Sequence, residues 1–153
     1  MRGFGSDEDQ DMKAERDRFP AVAHVMLRRA DQLYLLRRSH TGFMDGYYVL
    51  PGGHVSHGES VTQGAYRECL EEAGVRAELQ PRCVLPYISG RHQGFNFVFE
   101  ALNFQGEPYV AEPELFDAGG WYPIDGLPGR CAPWIAEVVG LAQDQWFREL
   151  RWQ

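Results

Sequence analysis

Between Glu59 and Gly74 the chain carries its strongest helix signal, and that helix ends by crowding three negative charges together. Val61, Ala65 and Cys69 recur every four residues as an apolar stripe, and Gly74 stands where a helix closes on a left-handed residue. Glu68, Glu71 and Glu72 fill the last turn. Spacings of three and four residues put side chains on one helical face, where like charges repel by roughly 0.2–0.5 kcal/mol per pair. The helix dipole disfavours anions near a C-terminus by about 0.3–1 kcal/mol each. Nothing in folding asks for this arrangement. A hard divalent cation would remove both penalties, because clustered carboxylates suit Mg2+ or Mn2+. A solvated charged face is the bland alternative, and the helix alone does not choose between them.

The residues upstream shift the balance. Pro51-Gly52-Gly53 is a tight loop whose backbone can approach a ligand or metal closely. Glu59 leads into the helix, and Arg67, eight residues later, can pair with a carboxylate and fix its orientation. Gly53, Glu59, Arg67, Glu68, Glu71, Glu72 and Gly74 also stand at fixed intervals, with apolar Cys69 and Val75 between and after them. This pattern resembles the box of the Nudix hydrolase family, the MutT-like nucleoside polyphosphate hydrolases. The likeness extends over about residues 20–140. It includes the lead-in Leu35-Leu36-Arg37-Arg38 and the downstream run from Gly106-Glu107-Pro108 through Glu112 to Trp121-Tyr122-Pro123.

The resemblance implies an α/β/α sandwich around a mixed sheet. It also implies Mg2+-dependent hydrolysis, with Mn2+ as a substitute, of a diphosphate bond in a nucleoside di- or triphosphate derivative. By similarity Glu68 and Glu72 are the main metal ligands, Glu71 binds directly or through water, and the Gly52 carbonyl is a further candidate. Glu59 and Arg67 brace the loop against the helix. Glu68 is the general-base candidate within the box. Glu112 is the loop candidate, as base or extra metal ligand, with Glu114 its rival. Arg38, fifteen residues before Gly53, is expected to bind phosphate, with Arg37 next and Gly53 close to the substrate. Arg91, His92 and His57 read as surface residues, and His54 as a possible pocket lining. Of Phe43, Tyr47 and Tyr48, one could stack on a base while packing accounts for the others. The second marks expected downstream for ADP-ribose or dinucleotide polyphosphate enzymes are missing, since Pro86 is only near and Tyr87 is too early. Sugar nucleotides and dinucleotide polyphosphates therefore remain the alternative substrates. A non-catalytic nucleotide-binding domain is a further alternative, disfavoured because every box glutamate is kept.

The rest of the chain fits one α/β domain. Residues 1–18 read as a polar tail and residues 19–153 as the domain. Strands are expected at Pro20–Leu27, Leu33–Leu36, Tyr48–Leu50, 75–79, 82–88, 95–102 and, as an edge piece, Trp121–Pro123. Phe95, Phe97 and Phe99 alternate and should share a buried face. Residues 133–150 read as a closing helix with Gly140 as a candidate break, and Trp134, Trp146 and Trp152 as packing it or a dimer contact. The length of 153 residues suffices for a core. No apolar run reaches the roughly 20 residues of a membrane span, and the expectation is a cytoplasmic monomer or homodimer. Three widely spaced cysteines favour reduced thiols over a disulfide framework or a zinc site. A formal charge of −7 argues against long nucleic acid as a partner, though not against a small phosphorylated one.

Overall fold

The computed structural model describes residues 16–153. The tail expected over residues 1–18 lies, as far as residue 15, outside the described residues; Arg16 to Phe19 are exposed and irregular. The strands are β1 (Ala21–Arg29), β2 (Gln32–Arg38), β3 (Tyr48–Val49), β4 (Gly52–His54), β5 (Ala77–Ser89), β6 (His92–Phe104), β7 (Phe116–Pro123) and β8 (Leu150–Trp152). Among the described residues two α-helices accompany them, α1 (Val61–Ala73) and α2 (Pro133–Val139).

The sheet is mixed, and it forks. β1 runs parallel to β6, with Ala21 opposite Phe95 and Leu27 opposite Ala101, and β6 runs antiparallel to β5. On its other edge β1 changes partner along its length. It pairs with β2 only at Arg28–Leu33 and Arg29–Gln32, and near its start it pairs with β4 instead. β2 carries β3 and β7 on its two edges. The fork opens where β1, β4, β6, β2 and β7 bring their loops together.

Side chains alternate across a strand, so each strand feeds two cores. Ala23, Val25 and Leu27 of β1, with Tyr34 and Leu36 of β2, pack under Ala65, Cys69 and Ala73 of α1. Met26, Leu33 and Leu35 face the other way and pack with Trp134, Ile135 and Val138 of α2. One helix on each face gives the expected α/β/α sandwich.

Four local expectations are corrected. The two strands expected at 75–79 and 82–88 are one strand, with a register shift at Pro81–Cys83. Proline cannot donate to the ladder, so the shift absorbs it without ending the strand. β7 starts at Phe116 because the Gly119-Gly120 pair, which hid the strand in the sequence, still pairs with β2. The phenylalanine row is only partly buried: Phe99 lies beneath α1, Phe97 is half-covered and Phe95 is exposed, because no helix covers the start of β6. The closing helix stops at Gly140. There Arg82 donates to the carbonyls of Leu141, Ala142 and Gln145. The chain then turns back, Trp146 stays exposed, and β8 adds to the edge of β5.

Candidate active site

Helix α1 begins at Val61, two residues later than the sequence suggests. Ser60 is its N-cap, and it forms a reciprocal capping box with Gln63. That frees Glu59 from the helix. Its carboxylate accepts the Ser56 N–H at 2.8 Å and takes Arg67 in a two-point grip, from Nη2 at 2.8 Å and from Nε at 3.1 Å. The guanidinium and the Ser56 amide hold the Glu59 carboxyl down at about 2. Arg67 also donates to the His54 carbonyl and, through Nη1, to Glu68 at 2.8 Å and Glu71 at 3.3 Å. The pair therefore ties the loop to the helix.

The other end of α1 is built around β4. The Glu68 carboxylate lies so close to Gly53 that a Cβ there would sit 2.6–2.9 Å from it, so a larger residue would displace that carboxylate. Next to it, the Gly52 N–H donates to Glu72 Oε2 at 2.8 Å. Glu72 is buried, at 6% exposure, and among the described residues no basic side chain pairs with it. Burial drives its carboxyl far above the usual range. The Gly52 amide opposes that rise, and the charges of Glu68 and Glu112 add to it.

Glu112 reaches this cluster because the helix end recruits its loop. The last carbonyls of a helix lack partners within it. Here the Tyr109 N–H donates to the Ala73 carbonyl and the Ala111 N–H to the Glu72 carbonyl. Gly74, at φ 70°, turns the chain out of the helix beneath Tyr109. Glu112 is half-buried, and its carboxyl is raised by burial and then by Glu71, Glu114 and Glu68. Glu114 is exposed.

Among the described residues, no three acidic, histidine or cysteine side chains are already drawn into a closed cation cage. The donor set nonetheless suits a hard cation. It is all oxygen, and it includes a buried carboxyl whose charged form lacks a positive neighbour. Glu68, Glu72 and Glu112 could hold such an ion, and Glu71 could join once it exchanges Arg67 for the metal.

The arginines sit apart from the cluster. Arg37 Nε donates to Asp117 Oδ1 at 2.7 Å, and Arg38 Nε donates to the Phe43 carbonyl at 2.7 Å. Arg91, His92, His54 and His57 are exposed, as are Phe43 and Tyr47, while Tyr48 packs against Tyr122 at 5.0 Å. Sequence reasoning missed His24 and Asn96. His24 Nε2 meets Asn96 Oδ1 at 2.9 Å, and the ring lies beneath Gly52. Burial lowers this imidazole to about 4, so it is neutral. The available signal was a polar residue interrupting each of two otherwise apolar strands.

Comparison with known proteins places this arrangement. The family model described as the NUDIX domain matches residues 17–141. A curated relative, the NAD-capped RNA hydrolase NudC of Citrobacter koseri, is 32% identical over 72% of this chain and 42% of its own length. The chain thus spans less than half of that relative. The RNA pyrophosphohydrolase of the Wolbachia of Brugia malayi is 24% identical over 92% of this chain and 97% of its own. Among solved structures, the MutT NUDIX hydrolase of Burkholderia pseudomallei is similar at TM-score 0.75 and 27% identity, over 84% of this chain and all of that one.

Proposed function

This chain belongs to the NUDIX domain family, and from that premise we propose that it hydrolyses a diphosphate bond in a nucleoside di- or triphosphate derivative with Mg2+ as cofactor. Members of the family generally need a divalent metal. The observation that carries the reading is Glu72, a buried carboxyl held by the Gly52 amide and surrounded by Glu68 and Glu112. Isolated in a protein interior, such a group is destabilised in its charged form. Paired with a cation, it becomes a strong ligand.

Glu68 and Glu72 would hold the metal, with Glu71 and the Gly52 carbonyl as further ligands. Bound there, the ion would neutralise diphosphate oxygens and acidify a water. Glu59 and Arg67 keep the β4–α1 loop in register with the helix, so that Gly53 stays against Glu68. Glu112 stands on a loop outside the helix, and its raised affinity for protons suits it to accept one from water. Glu68 is the alternative base. Arg38 and Arg37 lie on the strand that ends beside this loop, where a phosphate would enter.

The named activities of the relatives favour a second substrate, the diphosphate at a nucleotide-capped RNA 5′ end. The formal charge of −7 argues against gripping a long RNA backbone, so only the cap and its neighbouring phosphates would be held. One experiment separates these readings. The protein is given Mg2+ and a panel of nucleoside triphosphates, dinucleotides, sugar nucleotides and capped RNA oligonucleotides, and product release is followed. Full activity in excess EDTA would sink the metal mechanism. Binding without turnover across the panel would leave a nucleotide-binding domain in place of an enzyme.

A further inference from the structure

The β2–β3 loop and the β5–β6 hairpin meet at the open end of the forked sheet, and what they bring there lies outside the carboxylate cluster. For exposed chain, the loop is tightly held. The N–H groups of Thr41 and Gly42 both donate to the Asp45 carboxylate, and Arg38 Nε donates to the Phe43 carbonyl. The Gly46 N–H closes the loop onto the Arg38 carbonyl. Two residues other than glycine, His40 and Met44, take left-handed φ values of 58° and 53°. Backbone strain of this kind persists where surrounding bonds enforce it, and it gathers at functional sites.

What the loop presents is Phe43, 55% exposed. Its ring meets His92 of β6 edge-on, with centroids 6.0 Å apart, and the Arg38 guanidinium stands 5.7 Å from its centre. Backbone hydrogen bonds connect this loop to the one that carries Glu112. The Ser39 N–H donates to the Leu115 carbonyl, and the Leu115 N–H donates to the Glu112 carbonyl. Two hydrogen bonds thus separate the loop from the residue at the edge of the cluster. A half-exposed aromatic ring, an imidazole and a guanidinium with donors to spare together fit a flat heteroaromatic ring attached to phosphate.

We propose that Phe43, flanked by His92 and Arg38, is the platform on which the base of the substrate stacks. This rests on the diphosphate-hydrolase reading above and adds the residue that makes a nucleoside the preferred substituent. Stacking is tolerant of sequence because every base has a π-face. The platform therefore rewards the presence of a base and discriminates weakly among bases.

The test compares GTP and ATP with methyl triphosphate, a base-free substrate, on the full chain with Mg2+. Phe43→Ala raises KM for both nucleotides about tenfold, within the range that loss of one base–aromatic stack produces, and moves kcat little. The preference for nucleotide over methyl triphosphate in kcat/KM falls by the same factor. Phe43→Trp restores it, and Phe43→Leu, which keeps bulk without a π-face, does not. Equal losses on both substrates, no loss on either, or rescue by leucine would each overturn the proposal. If the wild type cleaves neither substrate, the triphosphate reading fails by itself. A calorimetric titration of ADP onto the folded protein then decides the platform: weakening about tenfold in Phe43→Ala supports it, and equal binding ends it.

Discussion

At the start of α1, Glu59 is gripped by a guanidinium and held charged down to about pH 2, whereas at its end Glu72 is buried with only the Gly52 amide to offset its charge. The two glutamates lie on one short segment and have opposite environments. The first is complete as it stands: its oxygens take donors from Arg67 and Ser56. The second has no positively charged side chain as partner among the described residues. A folded chain that satisfies one carboxylate and leaves a neighbour costly is separating support from chemistry, and substitutions at the two ends should fail in different ways.

The largest effect is expected at the Glu72 end. Glu72→Gln keeps the shape and an acceptor for the Gly52 N–H but cannot carry the charge that a metal needs. Turnover should fall by at least about a hundredfold, as expected when a group that acts only with the reacting centre is lost. Without metal, the melting temperature should stay level or rise, because the neutral amide resembles the protonated carboxyl that burial favours. A marked loss of metal-free stability would make Glu72 a structural residue and erase the contrast.

Glu112 belongs with Glu72 by electrostatics but stands on a loop. Glu112→Gln should lower turnover by about ten- to a hundredfold with a small change in KM, the signature of a transition-state role. Exposed Glu114, changed in the same way, should matter far less. If Glu114→Gln proved the more damaging, the base would move there. If neither mattered, Glu68 would be left in that role.

How far this contrast was legible in the sequence follows from the range of each interaction. Helical spacing of three and four residues made the gathering of Glu68, Glu71 and Glu72 readable, and the pairing of Glu59 with Arg67 eight residues later was implied by the resemblance. The sandwich was implied by the resemblance, whereas a single layered α/β domain was readable from the order of strands and helices. Contacts across the fold were not. That Glu72, rather than Glu71, is buried depends on β4 lying beside the helix. That His24 supports Gly52 depends on strand register. The 133–150 helix failed for a similar reason: Arg82, some sixty residues away, takes the carbonyls that would have continued it. Arg38 was read as a phosphate ligand from its distance to Gly53, and no interval could show that its Nε holds the Phe43 loop.

A smaller effect is expected at the satisfied end. Glu59→Gln loses the ion pair but leaves the metal-facing carboxylates in place, so turnover should fall less than tenfold and melting temperature by a few degrees. Because the folded carboxyl is depressed to about 2, its contribution is present above the ordinary value of 4.5 and is lost as pH falls toward 2. Thermal melts of wild type and variant should differ at neutral pH and converge near pH 2. A constant difference across that range would mean that packing, not charge, is what Glu59 supplies.

The smallest and most discriminating effect is the pH dependence of the metal-free protein. Glu72 has a carboxyl raised above its ordinary 4.5 by burial, so the folded state keeps a proton that the unfolded chain releases. Stability is then greatest below the unfolded value and falls as pH rises toward the folded one. His24 acts in the opposite sense at lower pH. Its imidazole is depressed from 6.5 to about 4, so its contribution grows until pH passes 6.5. The clean window is therefore above about pH 6.5, and the difference between wild type and Glu72→Gln cancels His24 and every other shared group. In EDTA, wild type should lose melting temperature relative to Glu72→Gln from about pH 6.5 to about pH 8.5, at about 2–4 °C for each kcal/mol in a domain of this size. Added Mg2+ should reverse the sign, because a metal ligand must be deprotonated and the cation gains as the proton leaves. Parallel wild-type and variant curves in EDTA would show that Glu72 is already charged without metal. The two ends of α1 would then differ in their partners but not in their protonation.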